Sequence, residues 1–112
     1  MRLLAIAAFL LVSTAAQADE CDKAVVQNDI NRCAQDRYDA ADRELNDAWR
    51  ALADGTKASL REEERAWITR RDADCKAEAA ESEGGSIYPT LYFGCMEKKT
   101  RERIRALKSS HP

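Results

Sequence analysis

The side chains in this chain best equipped for covalent chemistry are four cysteines, Cys21, Cys33, Cys75 and Cys95. Zinc ligation needs thiolates spaced as C-x2-C or paired with histidines. No such spacing occurs, and the one histidine, His111, is the penultimate residue. Dithiol redox chemistry fails on the same spacing. Nucleophilic catalysis fares no better, because no histidine lies within the body of the chain to act as base and no serine sits in a nucleophile motif. Carboxylates are spread along the whole chain, so no pair of them marks an acid–base site. The sequence therefore predicts no catalytic residues, no metal and no cofactor. What remains for the sulfurs is to pair with one another, which requires an oxidising compartment.

The N-terminus predicts how the chain would reach one. Arg2 is followed by the apolar run Leu3 to Val12 and then by Ala16-Gln17-Ala18, the small-x-small pattern that a signal peptidase recognises. Residues 1–18 read as a cleaved secretory signal and residues 19–112 as the mature domain. The apolar run is too short to anchor in a bilayer. Ala18-Asp19-Glu20 before Cys21 is also unlike the small apolar sequence that precedes a lipidated cysteine. The expected product is a periplasmic or secreted protein with no membrane anchor.

Removing residues 1–18 from the 112 leaves 94, enough for one domain with a modest core. The formal net charge of −2 becomes −3 when Arg2 is lost, and both signs are interspersed along the mature chain. A nucleic-acid partner, which demands a basic face, is excluded on that ground, while basic proteins are favoured electrostatically.

The elements that must position the cysteines are helices. Val26, Ile30, Ala34, Tyr38, Ala41, Leu45, Ala48 and Leu52 advance in steps of three and four, with Trp49 widening the stripe, which predicts a first helix from Val26 to Ala53. Gly55 is expected to close it and Thr56 to cap the next. A second helix is predicted from Lys57 to Ala79, with Leu60, Trp67 and Cys75 on a narrow apolar face that Glu64 and Arg71 interrupt. Gly84-Gly85 breaks the pattern. Ser86 offers a cap for a third helix, Pro89 falls in its first turn, and Tyr92, Met96, Ile104 and Leu107 form its stripe, with fraying expected from Lys108. The fold class is all-α, a small three-helix domain, with Tyr38, Leu45, Trp49, Leu60, Trp67 and Ile104 as core. An antiparallel hairpin of the first two helices about residues 54 and 55 would put Trp49 against Leu60, Tyr38 against Arg71, and Asp42 and Asn46 near Trp67 and Arg65.

Spacing alone leaves the sulfur pairing open. Cys75 and Cys95 are symmetric about Gly85, and Cys21 can double back to Cys33. Yet Cys33 and Cys75 are nearly symmetric about Asp54, so Cys33–Cys75 with Cys21–Cys95 is equally compatible with the geometry.

One set of motif positions comprises Cys21, Gln27, Asn31, Cys33-Ala34, Tyr38, Ala41-Asp42, Glu44-Leu45-Asn46 and Leu52. A second continues through Arg65-Ala66-Trp67-Ile68, Arg71-Asp72, Cys75, Gly84-Gly85-Ser86, Cys95, Thr100, Arg103 and Leu107. On these residues the chain resembles the LprI-like lysozyme-inhibitor domain family. Glu64 departs from the family's usual glutamine, and Trp49 from its frequent tyrosine. A buried glutamate must find a cation, for which Arg71 or Arg65 is available. The resemblance implies the pairing Cys21–Cys33 and Cys75–Cys95, since shorter relatives carry the later cysteines across a tight turn. Each bridge closes a short loop and stabilises by roughly 3 kcal/mol.

The resemblance also implies a lysozyme partner. Asp42, Asn46, Arg65, Arg71 and Asp72 read as a polar network that fixes helix register rather than as a binding surface. Glu62-Glu63-Glu64 reads as a solvated helix start near the positive end of the helix dipole. The loop Glu83, Gly84, Gly85, Ser86 and Tyr88 is the candidate partner-binding segment, a turn clamped at its base that could enter the cleft of a muramidase. The alternative is an envelope interaction module that binds another periplasmic component without inhibiting anything.

Overall fold

A computed structural model describes residues 21–109, so the predicted signal lies outside the described residues. Three helices account for most of them: α1, Gln27–Arg50; α2, Asp54–Glu78; and α3, Tyr88–Ser109, with a 3-10 turn at Ala80–Ser82. The described residues contain no strand, and no helix among them is long and apolar enough to cross a membrane.

The first helix boundary differs from expectation. α1 stops at Arg50, where the Ala51 N–H donates to Asp47 and the Leu52 N–H closes a tight turn onto Trp49. Gly55 lies inside the first turn of α2, and the break is made by Ala53, whose extended backbone (φ −61°, ψ 149°) leads into the helix as the Lys57 N–H reaches the Ala53 carbonyl at 2.9 Å. Asp54 at the helix start favours this earlier beginning through the helix dipole, so neither a left-handed Gly55 nor a Thr56 cap is needed. The other break falls at the predicted glycines. Gly84 has φ +82°, a conformation that penalises any residue with a Cβ, and the Gly85 N–H bonds the Ser82 carbonyl at 2.9 Å. α3 then begins at Tyr88, two residues beyond Ser86. Pro89 sits in its first turn, where a missing N–H costs nothing, and the helix continues through Lys108 to Ser109.

The packing also departs from a simple hairpin. α3 is the middle element, lying extensively along α1 and also against α2, while the backbones of α1 and α2 make little direct approach. Long side chains span that gap. Tyr38 of α1 reaches the Arg71 guanidinium of α2 at 5.6 Å, as the hairpin register anticipates. Trp49 and Leu60 meet in a shared cluster around the buried Leu45, Ile104 and Leu107, with Trp67, Ala48 and Leu52 packed against it. A second cluster is built on Cys75, Cys95 and Met96, flanked by Tyr38 and Tyr92. Of the six predicted core residues, Leu45 and Ile104 are buried, whereas Tyr38, Trp49, Leu60 and Trp67 are half-buried at the cluster edges. A three-helix domain of this size cannot enclose large side chains completely, so these three rings and Leu60 each stay partly in water.

Both cysteine pairs implied by the family resemblance are bridged, Cys21–Cys33 with Cα atoms 5.6 Å apart and Cys75–Cys95 with Cα atoms 5.5 Å apart. No described cysteine is free. Proteolytic mapping without reduction should therefore release the Cys21 peptide joined to that of Cys33, and the Cys75 peptide joined to that of Cys95. A Cys33–Cys75 peptide would contradict the fold.

Candidate functional site

The turn between α2 and α3 is held at three places. Cys75–Cys95 ties the two helices together at its base. Within the turn, the 3-10 segment and the Gly84 φ reverse the chain, and a β-carbon on Gly85 would come to 3.1 Å from the Ser82 carbonyl oxygen. From outside, α1 reaches across: Asn31 Nδ2 donates to the Ser86 carbonyl at 2.7 Å, the Thr90 hydroxyl donates to Asn31 Oδ1, and Gln27 Nε2 donates to Asn31 Oδ1 at 2.9 Å and to Thr90 Oγ1 at 3.2 Å. The Cys21–Cys33 bridge fastens the same stretch of α1. Gln27 and Asn31 lie one helical turn apart, so both amides can address the same neighbour. This lock was missed in the sequence because its partners lie 55 to 63 residues away.

Of the five predicted loop residues, Glu83, Gly84, Gly85 and Ser86 are exposed, and Tyr88 is half-buried with its ring stacked on Tyr92 at 5.9 Å. Tyr92 meets Phe93 edge-on at 5.2 Å, and Phe93 stacks on Tyr38 at 5.9 Å, so an aromatic row runs from the turn back into the molecule. Desolvation by burial raises the Tyr38 and Tyr92 hydroxyls above the ordinary tyrosine pKa, with Arg71 opposing the shift in both. These hydroxyls stay neutral at physiological pH and can only donate or accept hydrogen bonds.

The five residues expected to form an interhelical polar network are not brought together. Arg71 and Asp72 are joined, with Nε and Nη2 of the buried guanidinium 3.0 and 2.9 Å from Asp72 Oδ1. Arg71 Nη1 donates to the fully buried Thr100 hydroxyl of α3 at 3.3 Å. Asp42 is half-buried near Tyr38, and its charge helps to raise that hydroxyl. Asn46 and Arg65 are exposed, and Arg65 approaches only Glu62 on its own helix, at 3.9 Å. The hairpin register does not hold for this pair because α2 packs against α3 and its backbone makes little approach to α1.

Glu64 likewise takes neither Arg71 nor Arg65. Its Oε2 accepts from Arg103 Nε of α3 at 2.8 Å, and Arg103 Nη2 lies 2.8 Å from the same oxygen, off hydrogen-bond alignment but within strong ionic reach. The Glu63 carboxylate approaches Arg103 from the other side at 3.6 Å, so the expected solvated run Glu62-Glu63-Glu64 has two members facing α3. The Trp67 ring carries two guanidiniums, those of Arg71 at 5.1 Å and Arg103 at 5.7 Å. A further cross-link joins Arg101 of α3 to Glu44 of α1 at 2.8 Å and to Glu97 at 2.9 Å. The hydrogen bond that Arg101 Nε donates to Glu97 is the main cause that raises the Arg101 pKa.

The Glu78 carboxylate lies beside the Cys75 and Cys95 sulfurs, but sulfurs bonded to each other offer no thiolate to a metal. A shallow groove of about 330 Å³ between α2 and α3 is lined by Trp67, Arg70, Arg71 and Arg103, together with Asp74 and Lys99. Its two buried guanidiniums are already engaged by Asp72, Thr100 and Glu64. The chemistry these arrangements support is recognition by a preformed surface. Gln27, Asn31, Tyr38, Arg71, Thr100 and Arg103, which help to carry the family resemblance, are the residues that fasten helix to helix.

Residues 18–107 match the family model described as lysozyme inhibitor LprI, and the chain belongs to that family. It is also similar to an uncharacterized protein of Rhizobium meliloti (strain 1021), with 36% identity over 96% of this chain and 94% of the relative. No solved structure matches.

Proposed function

We propose that this protein is exported to the periplasm or secreted, and there binds a lysozyme and occludes its cleft, protecting peptidoglycan from host or competitor muramidases. The family match along residues 18–107 carries the reading, and the described structure supports it with a turn fixed by a disulfide, a glycine reversal and the Gln27–Asn31 lock. A segment already held in one conformation loses less entropy on docking than a free loop. The family is described as inhibitory, which accords with binding rather than catalysis. Residues Glu83, Gly84, Gly85, Ser86 and Tyr88 present carboxylate, bare backbone, hydroxyl and phenol groups suited to a protein cleft that otherwise holds sugar.

The test is a turbidity assay on cell-wall suspensions with several lysozyme types. The purified, oxidised protein should slow clearing by at least one of them, in proportion to its concentration and with saturation. If it slows none at large molar excess, inhibition is ruled out and a non-inhibitory envelope interaction module becomes the better account.

A further inference from the structure

The end of the molecule that carries the Gly84-Gly85 turn differs in charge from the rest. From Ala77 to Glu97 the sequence has four glutamates and no lysine or arginine, so those four charges exceed the net −2 of the whole chain and the remainder is net basic. Glu97 is neutralised by Arg101. Glu78, Glu81 and Glu83 are exposed, and no cation pairs with them among the described residues.

Within this acidic segment the fold leaves two apolar side chains in water. Ile87 is 44% exposed and Leu91 40%, and the Leu91 N–H donates to the Ile87 carbonyl at 3.2 Å, placing them one helical turn apart on the outward side of α3. The other exposed large hydrophobics have different settings. Ile68 stands on α2 with Arg65 and Asp72 on its flanks, and Val25 and Val26 follow Asp22 and Lys23 and precede Asp29. The backbone under Ile87 and Leu91 is already fixed, because Asn31 holds the Ser86 carbonyl and receives the Thr90 hydroxyl. Covering two apolar side chains on a rigid support gives a partner most of the hydrophobic gain at little ordering cost. The unpaired carboxylates of Glu81 and Glu83, in the turn that leads into Ile87, select a partner of positive surface charge.

We infer that Ile87 and Leu91 are the apolar anchor, and Glu81 and Glu83 the acidic collar, of a surface that docks a cationic protein bearing an apolar-lined cleft. This rests on the inhibitor reading and deepens it, since it moves the main contact from the glycine tip to the outer face of the first turn of α3. The Ser86 carbonyl, already engaged by Asn31, serves to position that face.

The experiment uses the full oxidised protein and a strongly basic chicken-type lysozyme as probe, with inhibition and surface-plasmon kinetics read together. Ile87→Ser combined with Leu91→Ser should weaken binding at least about tenfold, mostly through faster dissociation, while the protein stays folded with a modest drop in melting temperature, because each side chain is only partly covered by the fold. Glu81→Gln with Glu83→Gln should slow association severalfold and flatten its dependence on salt. Val25→Ser should alter neither rate. If the wild-type protein inhibits and the Ile87/Leu91 double variant inhibits equally well, the proposed anchor is wrong while the inhibitor reading stands. If the wild-type protein neither binds nor inhibits this lysozyme, the docking proposal falls for that partner, and the wider turbidity panel then decides the fate of the reading beneath it.

Discussion

Trp67→Ala should lower the unfolding free energy of the domain by about 3 to 5 kcal/mol, a large share of what a domain of this size possesses. The indole packs against the Leu45, Ile104 and Leu107 cluster, and it is the surface on which the Arg71 and Arg103 guanidiniums lie. Removing it strips the cover from that cluster and widens the groove between α2 and α3. It also withdraws two cation–π contacts of about 0.5 to 1 kcal/mol each. The guanidiniums would keep their carboxylate partners but lose the wall that orients them. Trp67→Phe should cost much less, because the smaller ring retains a face for one of them. Denaturant melts monitored by far-UV circular dichroism give the comparison. A loss below about 1 kcal/mol for the alanine variant would mean that the ring contributes little beyond a surface contact.

Trp67 also illustrates what the sequence could convey. Its place on the apolar stripe of α2 was legible from helical periodicity, as were the three helices, the glycine reversal and the Tyr38–Arg71 approach. The sulfur pairing was not legible from spacing, which permitted two arrangements, and followed only from likeness to relatives. Periodicity says which face of a helix is buried but not which neighbour buries it. The register of a two-helix hairpin therefore placed α1 where α3 lies, and Asn46 and Arg65 were assigned to a network that does not include them. Gly55 misled for a local reason: a glycine close to a helix boundary fits the end of one helix or the first turn of the next, and only Asp54 at the start of α2 favours the second.

The candidate site was half legible. A glycine-rich turn between cysteines is conspicuous, so Glu83 to Tyr88 stood out. Ile87 and Leu91 did not, because neither lies on the predicted stripe of the third helix and their exposure depends on how the start of that helix packs against its neighbours. The Gln27–Asn31 lock and the Arg101 cross-link were invisible for the same cause, since amides and charges on a half-polar helix carry no mark of the distant residue they will meet.

The buried ion pair between α2 and α3 makes the strongest remaining demand on the sequence, and Arg103→Met should cost about 3 to 5 kcal/mol. Methionine preserves much of the length and apolar stem of arginine, so the loss would come from charge rather than volume. Glu64, only 9% exposed, would be left without its counter-ion in a site where water reaches poorly. Glu63, turned toward the same guanidinium, would add a second repelling carboxylate. The double variant Glu64→Leu/Arg103→Met should regain most of the stability, because replacing both charges with apolar groups removes the desolvation cost along with the attraction. Glu64→Gln alone should cost about 1 kcal/mol, since an amide oxygen can still accept from Arg103 Nε and Glu63 still balances the guanidinium. Urea melts of the wild type, Arg103→Met, Glu64→Leu and their double variant close a mutant cycle and give the coupling directly, with Glu64→Gln measured beside them. If Arg103→Met and the double variant are equally destabilised, the cost lies in the lost stacking of Arg103 on Trp67 rather than in the stranded Glu64, and the pair would then act as a spacer between helices rather than as a compensated charge.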